Sequence, residues 1–178
     1  MKITVIRITG FQKLKKELQK LNNKDLIKHI GELYKKFPNV KEYLDFYVST
    51  NETELLEKYK AKVFQGFFPN RGYQLKLSVS KKAINDFKKL GASQESIADL
   101  MIYYVECGVD FTNNFGDIDE NFYISIENTF ARATEIIASE DLLGTFKERA
   151  KRIVKNTSEI GWGFHDFLSD VSFTYYSD

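Results

Sequence analysis

The sequence predicts an all-α fold of antiparallel helix hairpins, forming a compact bundle or an irregular helical stack with at most one short two-stranded β piece. Three observations predict it. Apolar residues recur at three- and four-residue steps almost without interruption from Phe11 to Phe67, and again from Ser80 to Lys155. Capping residues and a proline punctuate these runs where helices start and stop. The composition, 43% apolar and 29% charged over 178 residues, suits a globular chain that buries its own core. More than two-thirds of the chain is expected to be helical.

The first helix carries Phe11, Leu14, Leu18 and Leu21 on one face, with Thr9 and Gln12 placed for a capping box. A second starts at Asn22, with Asp25 in its first turn and the stripe Leu26, Ile30, Leu33, Phe37. Pro38 ends it and opens a third, with Val40, Tyr43, Leu44 and Tyr47. Asn51 and Glu54 cap a fourth, bearing Leu55, Leu56, Tyr59, Val63 and Phe67. Pro69-Asn70-Arg71-Gly72 then breaks the pattern. We read one helical domain, with 69–79 as a seam between a basic N-terminal half and a C-terminal half. Tyr73, Leu75 and Leu77 alternate, and an extended piece there could pair with Ile3–Ile8. The second half restarts at Ser80 and stops at Gly91. Ser93 opens a long helix with Ile97, Leu100, Met101, Tyr104 and Val105 inward, and Gly108 marks a close helix crossing or an end. Asp117 with Glu120 caps a helix bearing Phe122, Ile126, Phe130 and Ile137. Another runs from Glu140 to Lys155, and a last aromatic segment, 162–176, is expected to dock through Phe164, Phe167, Leu168, Val171 and Tyr175.

A single cysteine, Cys107, excludes an intrachain disulfide and points to a reducing, cytoplasmic setting. No run approaches the ~18 apolar residues of a membrane span, so no membrane contact is expected. The net charge of +1 conceals a division. Residues 1–94 hold 20 Lys and Arg against 9 Asp and Glu, a net of +11. Residues 95–141 hold Arg132 against 11 acids, a net of −10. Opposite fields of this kind steer association with a charged partner or with a second copy.

Catalytic motifs do not fit. Asp117-Ile118-Asp119-Glu120-Asn121 begins like a calcium loop, but Phe122 stands where the loop needs glycine and Asn128 where it needs a bidentate Glu. Gly161-Trp162-Gly163 has two glycines at dinucleotide-loop spacing, yet no strand precedes it. No cofactor and no metal is expected. The residues that could form a functional groove are Asp99, Tyr103, Glu106 and Asp110, on one face of the 93–115 helix, together with Trp162, His165 and Asp166. Carboxylates three and four residues apart raise each other's pKa or share an ion, and His165 beside Asp166 offers an acid–base group. The same carboxylates also serve as the polar face any amphipathic helix needs.

The segments Leu26–Tyr34, Val40–Leu44, Tyr103–Thr112, Gly116–Asp119 and Gly161–Asp166 resemble a bacterial family known only as a domain of unknown function. The resemblance runs from about Phe11 and leaves Ile3–Ile8 outside. It implies a soluble helical protein and transfers no catalytic role to any residue. The function expected is therefore a non-enzymatic helical protein–protein interaction or regulatory module. Its partner is expected to be a protein, with weak self-association as a further expectation. One alternative is a metal-dependent or acid–base enzyme using the carboxylates of the 93–115 helix with His165 and Asp166. The other, less favoured, is a nucleic-acid binder acting through Lys13, Lys15, Lys16, Lys20, Lys24 and Lys28.

Overall fold

The computed structural model describes residues 10–49, 51–70 and 74–177. Among them the chain forms nine helices: α1 (Gly10–Leu18), α2 (Asn23–Lys36), α3 (Pro38–Ser49), α4 (Glu52–Phe67), α5 (Leu77–Lys89), α6 (Gln94–Phe115), α7 (Glu120–Ser139), α8 (Leu143–Lys155) and α9 (Phe164–Tyr176). No described residue lies in a strand, and the fold is all-α. Ile3–Ile8, Thr9 and Tyr73 fall outside the described residues. Leu75 is not in a strand, and Leu77 is the first residue of α5.

The chain divides into two compact units, Met1–Thr50 and Asn51–Asp178. The stretch 69–79 lies inside the second unit, where α4 and α5 pack together on either side of it. In the first unit α2 and α3 form a hairpin. Asn22 caps α2 by accepting from the Asp25 amide (3.0 Å). Tyr34 donates to Asp45 (2.6 Å) across the hairpin, and Lys41 pairs with the same carboxylate (3.1 Å).

The second unit is built around α6, against which α4, α5, α7 and α8 all pack. Asn51 caps α4 and Ser93 caps α6. Phe67 meets Tyr104 edge-on at 5.0 Å and Phe122 at 6.4 Å, joining α4, α6 and α7 in one aromatic cluster. The buried Tyr104 hydroxyl is satisfied by Ser125 (2.7 Å). Gly108 sits inside α6, where a Cβ would stand 2.2 Å from Ile126 Cδ1, so its role is the close crossing of α7. α9 docks on α7 and α8 through Phe164, Leu168 and Tyr176, while Phe167 stays exposed.

Three boundaries differ from the sequence reading, two because a side chain found a better partner and one because the backbone turns. α5 starts at Leu77, because Ser80 is buried and donates to the Val63 carbonyl (2.7 Å) instead of capping a helix. The cap of α7 is Asp119, which accepts from the Phe122 amide (2.9 Å), while Asp117 accepts from the Tyr123 hydroxyl (2.8 Å). α8 starts at Leu143, after Asp141 turns the chain through φ 58°.

The α4–α5 crossing depends on Gly66. A Cβ there would lie 2.0 Å from Ser80 Oγ and 3.0 Å from the Lys76 carbonyl, and Lys76 donates its amide to Gly66 (2.8 Å). Because backbone on one side and a buried hydroxyl on the other cannot step aside, Gly66→Ala is expected to cost about 1–3 kcal/mol. Gly144, with open space where its Cβ would go, has the opposite sign: Gly144→Ala should add about 0.4–1 kcal/mol. Urea midpoints of the two variants against wild type check both signs.

Candidate functional site

The polar face of α6 is held by ion pairs. Arg149, on α8, donates from Nε and Nη2 to the two carboxylate oxygens of Glu106 (2.8 Å each) and from Nη1 to Asp99 (2.7 Å). Lys60, on α4, reaches the other Asp99 oxygen (3.3 Å), and Arg152 stands 3.8 Å from Glu106. All of these groups except Arg152 are mostly buried. Desolvation pushes the Arg149 guanidinium down, but its hydrogen bonds to Glu106 and Asp99 outweigh it and carry its pKa up. A fork of this geometry engages both carboxylate oxygens of Glu106 and one of Asp99 as acceptors.

The other groups on this face are equally subdued. Burial pushes the Cys107 thiol up to about 12, so it is not a thiolate nucleophile near neutrality. Burial, then the neighbouring Cys107, pushes the Tyr103 hydroxyl up to about 12. Asp110 is raised by desolvation and next by the Glu106 charge. Tyr103, Glu106 and Asp110 line a cleft of about 280 Å³ together with Arg152 and Asn156.

His165, Trp162 and Asp166 do not line that cleft. Thr157, at the end of the α8 turn, donates its hydroxyl proton to the Val154 carbonyl (2.7 Å) and so accepts from His165 Nδ1 (2.8 Å). That assigns the Nδ1–H tautomer and leaves Nε2 as an acceptor facing Ser169 Oγ at 3.4 Å. The ring is thus oriented by a neutral hydroxyl instead of a carboxylate. Its evident effect is to fasten the start of α9 to the end of α8. Asp166 is exposed. Trp162 is 66% exposed and sits at φ 63°, followed by Gly163 at φ 72°, so two left-handed residues in succession make the turn into α9. No group of three or more His, Cys, Asp or Glu among the described residues is placed to hold a metal ion.

Residues 10–172 match a family of unknown function, DUF6155. The chain belongs to that family. The DUF6155 match begins one residue before Phe11, leaves Ile3–Ile8 outside, and extends over α1 to most of α9. No curated protein and no solved structure matches the chain. No helix among the described residues is long and apolar enough to cross a membrane.

Two parts of this DUF6155 chain escaped the sequence reading. Arg149 gave no local signal, because its partners lie 43 and 50 residues away. The second is a group of cations and amides on α5 and α7, spaced at 81, 85 and 88 and at 121, 128 and 132. That spacing places each set on one helix face and could have been noticed.

Two expectations follow. Arg149→Met leaves Asp99 with Lys60 alone and Glu106 with the more distant Arg152, and should lower stability by about 1.5–3 kcal/mol. Adding Asp99→Asn and Glu106→Gln should recover part of that loss, because no unpaired charge is then buried. Chemical denaturation of the single and triple variants measures both. Asp110 behaves differently. Its folded pKa lies above the unfolded one, so its contribution falls as pH rises through the folded value and stays unfavourable above it. Asp110→Asn should therefore stabilise the protein near neutral pH and give no advantage below about pH 3.9, where the unfolded group is also protonated. Urea midpoints at the two pH values decide it.

Proposed function

We infer that the protein is a non-enzymatic helical protein–protein interaction module, and that its first unit docks onto an acidic surface of a partner protein. One observation carries the reading: no residue of α1, α2 or α3 is buried, although each helix bears an apolar stripe. On those stripes Ile30 and Tyr47 are 49% and 73% exposed, and beside them Ile27 and Val48 are 71% and 81% exposed. A folded segment of about 40 residues with no core, disulfide or metal does not stabilise itself, and an apolar cover supplies what it lacks. Charge indicates the kind of cover. Residues 10–49 hold nine Lys and no Arg against five Asp and Glu, a net of +4. Lysine-flanked apolar stripes complement an acidic partner with an apolar centre. Phosphate contact alone would leave those stripes in water, which disfavours the nucleic-acid alternative. The acid–base alternative is disfavoured by the engagement of Asp99 and Glu106 with Arg149.

Cross-linking the tagged full-length protein and purifying what is captured tests the proposal. A captured acidic protein should rebind the purified chain. Ile27→Asp and Tyr47→Asp should each weaken that binding at least tenfold while leaving the melting temperature unchanged, and salt above about 0.1 M should weaken it further. Binding that survives both substitutions sinks the proposal. A salt-sensitive dimer seen by light scattering, and lost in the same variants, replaces the foreign partner with a second copy.

A further inference from the structure

We propose that the cleft between α5 and α7 binds a small phosphate ester, a polyvalent phosphoryl group carried on a compact polar organic body. The cleft has a volume of about 430 Å³ and lies wholly within the second unit. That falls in the range of about 300–1,000 Å³ typical of small-molecule sites. Three cations line it, Lys81 and Lys88 from α5 and Arg132 from α7, and no carboxylate does. None of the three forms an ion pair among the described residues.

Cations next to the cleft are paired instead. Two residues beside the cleft, Lys82 and Lys89, are both engaged by Asp86, on the same helix. On α8, Arg149 is saturated by two carboxylates. Positive charge without an ion-pair partner is therefore gathered in one recess, and Arg132 comes to it from a stretch, 95–141, in which it is the only basic residue. The approach of two cations has a measurable consequence. Desolvation first, and the charge of Arg132 second, hold the Lys88 ammonium below its usual pKa. An anion bound between them offsets both through its opposite charge.

The rest of the lining describes the ligand. Met101, almost fully buried, forms an apolar floor. Asn85, Asn121 and Asn128 present side-chain amides that have no hydrogen-bond partner among the described residues. Amides donate and accept at once, so they read hydroxyls or a heterocycle edge, whereas the cations read charge alone. A monocarboxylate needs one guanidinium; a phosphate monoester or diphosphate uses two or three cations, with Arg offering a fork and Lys a point charge. A long polyanion is not favoured, because pairing by Asp86 ends the run of free positive charge at the cleft.

Isothermal titration of the full chain with pyrophosphate, AMP, citrate and a 20-mer oligothymidylate tests the proposal. The expected result is saturable binding of pyrophosphate or AMP at one site. Arg132→Gln and Lys88→Met should each weaken that binding about tenfold or more, the loss expected for a charged hydrogen bond. Lys151→Gln, an exposed cation of α8, should leave it unchanged. Arg132 is exposed, so its variant should melt with wild type and an effect on binding cannot be an effect on folding. The proposal is overturned if neither phosphate binds at millimolar concentration, or if Lys151→Gln weakens binding as much as Arg132→Gln. Citrate binding as tightly as pyrophosphate shows charge attraction without phosphate recognition and also overturns it. Tighter binding of the oligonucleotide than of either small phosphate reassigns the surface to nucleic acid.

Discussion

The second unit depends on α6 being buried along nearly its whole circumference. Twelve of its 22 residues are buried, and α4, α5, α7 and α8 pack around it. Only a narrow polar stripe is left, and that stripe carries Asp99, Glu106 and Asp110. Asp99 and Glu106, confined in this way, need a counter-charge in place, because leaving them half-dehydrated and unpaired costs more than pairing returns. Arg149 provides it with three hydrogen bonds, and in doing so ties α8 to α6. The close approach of α7 has the same origin: an absent Cβ at Gly108 lets Ile126 enter the α6 surface.

The arrangement separates charge that holds the fold together from charge left open to a ligand. Asp99 and Glu106 are occupied, Cys107 and Tyr103 are kept protonated by burial, and His165 is oriented by Thr157. Among these reactive-looking side chains, Asp99, Glu106 and His165 each join two stretches of the chain, and Cys107 and Tyr103 are subdued by burial. Lys81, Lys88 and Arg132 look like ordinary helix-surface cations in the sequence, yet they face one another without an acid between them. Availability of a charged group is decided by what stands opposite it, more than by its chemical type.

The two units differ in how they meet the hydrophobic requirement. The second buries large aromatics completely, among them Tyr59, Phe67, Phe87, Phe122 and Phe164. The first has amphipathic helices of comparable quality and buries none of their residues. The DUF6155 match spans both from Gly10, so α1, α2 and α3, which bury no residue, belong to the family's domain and are no appendage to it. A segment retained without a core of its own is the physical reason to look for a partner there.

The sequence by itself determined the helices and most of their ends. Apolar steps of three and four and the caps Asn22, Asn51 and Ser93 act within one or two turns, where local chemistry suffices. It also placed Asp99, Tyr103, Glu106 and Asp110 on one face, because helical geometry relates them directly. Where two residues competed for one role, as Asp117 and Asp119 did for the α7 cap, local pattern could not choose, since Tyr123 took one of them. Only the tertiary structure decided what those faces meet. Arg149 is 43 residues from Glu106 and 50 from Asp99, and the cleft cations lie on helices that are not consecutive. Partners at that separation are set by how helices cross, which depends on volumes such as those missing at Gly66 and Gly108 and leaves no periodic trace along the chain.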